Sequence, residues 1–144
     1  MFILYNFSLK TKGFNDIIDI TEHVQAVVDK SGVEDGVACV FVAHSTCAIT
    51  TIEYEPGLIK DLKDALEVIA PANKKYAHDN RWGDGNGYAH IRASLIGPSL
   101  CIPIEKGKLV LGTWQQIILI DPNNKSRTRR VTVTILKGTA GPSS

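Results

Sequence analysis

The contrast between apolar runs of two periods narrows most sharply what this chain can fold into. Seven stretches read as strands, whereas only two recur at helical spacing. The strand readings are Met1–Thr11, Gly36–Ala43, Ala48–Glu53, Ser99–Ile104, Lys108–Leu111, Gln115–Asp121 and Arg129–Leu136. Gly36–Ala43 is nearly continuous in apolar residues, and Ala48–Glu53 is expected as a second strand beside it. One helix starts from an expected N-cap at Thr21, carries Val24, Val27 and Val28 on one face, and stops at Ser31-Gly32. The other has Pro56 in its first turn and Leu58, Ile59, Leu62, Leu66 and Ile69 on its apolar side, and ends before Pro71. Gly97-Pro98, Glu105–Gly107 and Pro122–Lys125 supply turns. Strands and helices do not alternate regularly. The expected fold class is therefore α+β, a β-rich sandwich of mostly antiparallel strands with two main helices.

A chain of 144 residues holds one hydrophobic core and not two. Residues 1–138 are expected as a single domain and 139–144 as a flexible tail, since Gly138–Ser144 is rich in Gly, Pro and Ser. The formal net charge of +1 gives no bulk attraction for nucleic acid or an anionic membrane surface. No apolar run approaches a membrane span, and the N-terminus lacks an export signal pattern, so a cytoplasmic protein is expected. The three cysteines include no Cys-x-x-Cys pair. Cys39 and Cys101 lie in apolar strands and are expected as buried free thiols; Cys47, three residues after His44, lacks an identifiable base.

One stretch fits neither period. Ala72–Gly87 holds Asn73, His78, Asp79, Asn80, Arg81, Asp84, Gly85 and Asn86 and reads as a long polar loop. Loops of that length inside a compact domain are uncommon and often functional. His78 and His90 bracket it, and His44 ends the buried run Val37–Ala43. Three imidazoles would suit zinc or a similar ion and leave a position open for water or substrate. The spacing between His78 and His90 matches no standard zinc motif, so surface or core histidines remain the alternative. Asp84-Gly85-Asn86 reads either as a turn or as oxygen ligands and acceptors beside a metal-bound histidine. Glu53 reads as a general base or as a solvated strand-end acid. Arg127 and Arg129 share one strand face and read as a phosphate clamp or as charges blunting an edge. No Walker loop or dinucleotide glycine pattern accompanies them, and no aromatics interleave the basic run.

Taken in order, His44-Ser45-Thr46-Cys47-Ala48-Ile49-Thr50, His78-Asp79-Asn80, Asp84-Gly85-Asn86 with Ala89-His90, Leu95-Ile96-Gly97-Pro98-Ser99, Leu111-Gly112-Thr113-Trp114-Gln115 and Ser126-Arg127-Thr128-Arg129-Arg130 resemble the YjbQ family. Some members of that family are associated with a secondary thiamine-phosphate synthase activity. The resemblance runs from about Phe7 to Gly138. It implies a homotrimer with His44, His78 and His90 as ligands of a divalent metal, zinc-like or magnesium. It also implies Asp79 as a near neighbour of the metal, Glu53, Asp84 and Gln115 as catalytic residues, and Ser45, Thr46, Asn80, Asn86, Arg127 and Arg129 as substrate-binding residues for a small phosphorylated compound. Nucleic acid and membrane are not expected as partners. Two departures bear on the site: Ile52 stands where the family tends to carry Asn, and Arg81-Trp82-Gly83 enlarges the usual loop. The implied reaction joins a pyrimidine-methyl diphosphate to a thiazole phosphate and releases diphosphate. A metal-dependent hydrolase and a non-catalytic trimeric binding protein are the alternatives. Diphosphate chemistry usually takes magnesium on carboxylates, whereas three imidazoles favour zinc.

Overall fold

The computed structural model describes residues 2–139. Eight strands and four helices follow in chain order: β1 Phe2–Thr11, β2 Asp16–Asp19, α1 Thr21–Ser31, β3 Gly36–Val42, β4 Ala48–Ile52, α2 Pro56–Ile69, α3 Ala77–Trp82, α4 Gly87–Ile96, β5 Ser99–Glu105, β6 Lys108–Leu109, β7 Gln116–Asp121 and β8 Arg127–Lys137. One sheet has the order β1-β8-β3-β5-β6 and the other β2-β7-β4. Every pairing is antiparallel. The fold class is α+β, as the strand count indicates.

Strand alternation decides which side chains form the core. Val40, Val42, Ile102, Ile104, Val131, Val133 and Ile135 of the larger sheet pack with Ile49, Ile117 and Leu119 of the smaller one. Helix α1 adds Val24 and Val28 to the same cluster. The opposite face of the smaller sheet carries Ile118 and Ile120 with Ile17, and Ile52, Ile59, Leu62 and Ile96 pack there, so α2 and α4 form a third layer. Strand β7 is therefore buried on both faces, which is why Ile117–Ile120 reads as an unbroken apolar run. Each of these side chains contributes roughly 1.5–3 kcal/mol on burial.

The structure corrects several sequence expectations. Strand β4 does not lie beside β3; it pairs with β7 in the other sheet. The turn at His44–Cys47 carries the chain between the two sheets. Gly97 and Pro98 span the same gap, since Val42 N donates to Pro98 O (2.9 Å) and Ile49 N to Gly97 O (3.0 Å). Thr21 is the first residue of α1 and not its N-cap. Its Oγ1 donates to Asp19 Oδ1 (2.7 Å) and accepts from Ile117 N (2.8 Å), so the hydroxyl ties helix to sheet. Strand β2 is too short for its alternation to stand out in the sequence, and it is held by β7. At α2 the Glu55 carboxylate accepts from Gly57 N and Leu58 N at 2.8 Å, closing the helix start that Pro56 marks. The tail expectation, residues 139–144, falls outside the described residues except for Thr139.

The polar stretch Ala72–Gly87 is not a loop throughout. Helix α3 occupies Ala77–Trp82, and α4 starts at Gly87. Helical spacing is hidden there because α3 buries no residue, so it has no apolar face to register.

Candidate functional site

Helices α3 and α4 bring the loop's two histidines together. The His78 and His90 rings lie 4.5 Å apart, tilted by 45°. His78 Nδ1 stands 3.4 Å from Asp79 Oδ1 and 3.6 Å from Asp84 Oδ1. Asp79 Oδ1 accepts from Gly87 N at 2.9 Å, which fixes it at the start of α4. Only glycine fits at 87: a Cβ there would lie 2.6 Å from Tyr76 Cβ. The Asp84 carbonyl accepts from Asn124 Nδ2 at 2.8 Å, holding the turn between the helices. Burial, then the neighbouring His78, pushes the His90 pKa down, with Asp84 and Asp79 acting in opposition. A neutral imidazole is the form that ligates a metal.

Among the described residues, one set of three or more possible ligands lies within 4.8 Å: His78, Asp79 and Asp84. Ligands about 2.1 Å from a tetrahedral ion lie about 3.4 Å from one another. The His78–Asp79 and His78–Asp84 separations match that spacing, so this donor set fits a divalent ion. His44 does not belong to it. The donors grouped within one chain are one imidazole with two carboxylates, and a second imidazole lies alongside.

His44 occupies the turn between the sheets, where its Nε2 accepts from Arg130 N at 3.1 Å. Burial and then the Arg129 charge lower its pKa; Asp121 opposes this, and Arg127 adds to it. Beneath it lies a buried ion pair. Arg129 Nε donates to Asp121 Oδ2 (2.6 Å) and Nη2 to Asp121 Oδ1 (2.8 Å). Thr11 Oγ1 donates to Asp121 Oδ2, and Asn123 N to Oδ1 at 3.0 Å. Arg129 Nη2 also donates to Thr46 Oγ1 at 2.9 Å. The expected phosphate clamp of Arg127 with Arg129 is therefore split. Arg129 is 3% exposed, and its guanidinium is taken up by Asp121 and Thr46, whereas Arg127 is exposed. Ser45 and Asn80 are exposed, Thr46 buried. Asn86 Nδ2 donates to Asn123 Oδ1 (3.2 Å), joining the α3–α4 corner to the Asp121 end of β7. Asn86 Oδ1 and Asn123 Nδ2 are buried without a protein partner, which leaves polar capacity between the two halves.

Glu53 and Gln115 lie elsewhere. Both stand near the Gln116–Ile52 pairing, at the end of β7 opposite Asp121. Strand β7 is six residues, about 20 Å, long. Glu53 is in a groove with Tyr54, Glu55, Pro56, Thr113, Trp114 and Gln116, none of them histidine. Gln115 Oε1 accepts from Gly112 N (2.7 Å), and Nε2 reaches Thr51 Oγ1 (3.4 Å), so its amide shapes a turn. One strand carries both the Glu53 and the His44 ends, and sequence order alone does not say that they diverge. Asp121, Thr11 and Asn123 were not singled out from sequence. The available signal was an acid ending the apolar run of β7, with an arginine in the strand that follows.

The architecture is that of a small two-sheet α+β protein with a histidine–carboxylate corner. The YjbQ family model, described as UPF0047 protein YjbQ-like, matches residues 5–138. The chain belongs to the UPF0047/YjbQ family. A UPF0047 protein of Archaeoglobus fulgidus is 41% identical over 129 residues, covering 90% of this chain and 98% of the relative. The UPF0047 protein YugU of Bacillus subtilis is 33% identical over 117 residues, covering 80% of this chain and 86% of YugU. A crystal structure from Sulfolobus solfataricus, described as a YbjQ-like protein of unknown function, superposes with a TM-score of 0.86 at 33% identity, covering 96% of this chain and all (100%) of that one. An uncharacterized YjbQ/UPF0047 protein from Clostridium acetobutylicum gives 0.84 at 42% identity, with 92% and 99% covered. No helix among the described residues is long and apolar enough to cross a membrane.

Proposed function

We propose that this chain is a metal-dependent enzyme acting on a small phosphorylated substrate, with a reaction of the thiamine-phosphate synthase type. The observation that carries the reading is the convergence of His78, Asp79 and Asp84 within 4.8 Å, with the His90 ring beside them. A set containing two carboxylates accepts magnesium as well as zinc, which removes the mismatch between three imidazoles and diphosphate chemistry. A divalent ion held there supplies positive charge against a diphosphate leaving group. The chain's own residues supply the rest. Arg127 is exposed and its charge is felt at His44, so it is placed to bind a phosphate. His44, its pKa lowered, is neutral, and with Nε2 accepting from Arg130 N its other ring nitrogen is left to donate a hydrogen bond to substrate. Asn86 offers an unpaired buried Oδ1 between the two halves. Asp84, half exposed beside His78, is the more open carboxylate of the set. Glu53 and Gln115 have no part in this reading because they lie at the far end of β7.

The test supplies pyrimidine-methyl diphosphate and thiazole phosphate, together and singly, and follows diphosphate release with magnesium or zinc added. Release only with both precursors present is the expected result. Release from the diphosphate alone favours the hydrolase reading, and no release with either metal overturns the synthase reading. Arg127→Ala is expected to raise KM for the phosphorylated substrate by about tenfold or more, the equivalent of one charge-assisted hydrogen bond. An unchanged KM overturns its role.

The same reading includes self-association as a homotrimer. Val68, Ile69, Trp82, Leu95 and Trp114 are each more than 60% exposed, apolar area of the kind that association covers. Sedimentation giving a species of 15.7 kDa refutes it.

A further inference from the structure

Cys39 and Cys101 were expected from their apolar strands to be buried. The structure corrects this: Cys39 is half-buried and Cys101 exposed. Alternation is the reason, because Ala38, Val40 and Ile102 take the inward positions and leave the cysteines on the outer face. The two residues are direct partners in the β3–β5 register. Val42 N donates to Pro98 O, and hydrogen-bonded pairs alternate with non-bonded ones along an antiparallel ladder. Counting from Val42 and Pro98, Cys39 and Cys101 form a non-hydrogen-bonded pair, the kind whose Cα atoms lie closest, about 4.5 Å apart. That separation falls within the range a disulfide spans. The sulfurs already stand 2.6 Å apart.

We infer that Cys39 and Cys101 form a reversible dithiol–disulfide site, oxidised by small-molecule disulfides. Burial, then the Cys101 contact, pushes the Cys39 thiol up to about 11, so Cys39 does not start the exchange. The exposed Cys101 thiolate attacks one sulfur of the small disulfide, forming a mixed disulfide and releasing one thiol. Cys39 gives its proton to solvent and attacks the Cys101 sulfur, releasing the second thiol. Two protein thiols and one small disulfide thus become one protein disulfide and two small thiols. The residues are 62 apart in sequence, and the loop so closed contains His44, His78 and His90. Oxidation therefore staples the segment that carries the histidine corner, whichever reaction that corner performs.

The experiment incubates the native, reduced protein with glutathione disulfide, then unfolds it in an alkylating reagent and determines its mass. The three thiols are expected to take three labels before oxidation and one after, with Cys47 labelled and a Cys39–Cys101 cross-linked peptide present. The unfolding midpoint is expected to rise by on the order of 10 °C. Cys39→Ser is expected to stop at a glutathione adduct on Cys101. Three labels after oxidation, a cross-link through Cys47, or no adduct on Cys39→Ser each overturns the inference.

Discussion

Asp121→Asn is expected to destabilise the fold by about 3–5 kcal/mol, the cost of leaving one partner of a buried ion pair alone. In a chain of this size that lowers the unfolding midpoint by roughly 10 °C or more. Asp121 is 0% exposed and Arg129 3%, so water cannot replace the lost carboxylate. Burial by itself would raise the Asp121 pKa. The bonds from Arg129, Thr11 and Asn123, with the Arg129 charge, outweigh it and hold the carboxyl below its ordinary value. The sign of the pH effect follows. Stability from this group is fully present above pH about 4, the ordinary aspartate value, and is lost as pH falls through the lower folded value. Asp121→Asn should lose that acid-dependent part. Thermal unfolding across pH checks both points, and a variant within about 1 kcal/mol of the parent would refute the assignment. The double change Asp121→Leu with Arg129→Met should recover much of the loss, since both charges then leave together.

Strands were readable in the sequence where the apolar run is long, because Val37–Val42, Ile117–Ile120 and Val131–Ile135 carry continuous or alternating apolar residues. Sheet membership was not readable. The five residues His44–Cys47 with Ala43 look like a simple turn between paired strands, yet they carry the chain from one sheet to the other. No local propensity distinguishes those outcomes; the packing of Ile49 against the shared core decides them. The cysteines show a related gap. An apolar run predicts a strand correctly, but in β5 alternation turns Cys101 outward and Ile102 inward, and only the register reveals Cys39 opposite.

For the site, the residue types in His78–His90 were informative and their grouping was not. Polarity marked the stretch, and the structure brings its two ends into contact through a helix too short and too exposed to leave a periodic signature. Arg129 was misread for a different reason. Its strand face was correctly shared with Arg127, but Asp121 comes from β7 and reaches it only through the fold. Position on a face does not say whether a charge is free or already paired.

Removing His78 or Asp84 should abolish tight metal binding, while removing His44 should leave it almost intact. Loss of groups that merely support a metal ligand costs 10–100-fold in affinity, so loss of a ligand from a three-residue set should cost about 100-fold or more. His78 is common to both close separations, 3.4 Å to Asp79 and 3.6 Å to Asp84, so His78→Ala should have the largest effect. Asp84→Asn keeps the size but loses the anionic oxygen and should follow it. His44 is engaged by Arg130 N and lies outside the set, so His44→Ala should change metal affinity by less than about threefold, within 1 kcal/mol. Competition with a chromogenic chelator measures all three, with circular dichroism confirming that each variant is folded. The opposite pattern, loss with His44→Ala and retention with Asp84→Asn, would restore the three-imidazole cage and transfer the carboxylates to the role of acceptors around it. The contrast between His44 and Asp84 thus decides whether the centre is a nitrogen site or a mixed nitrogen–oxygen one, and with it whether magnesium belongs there.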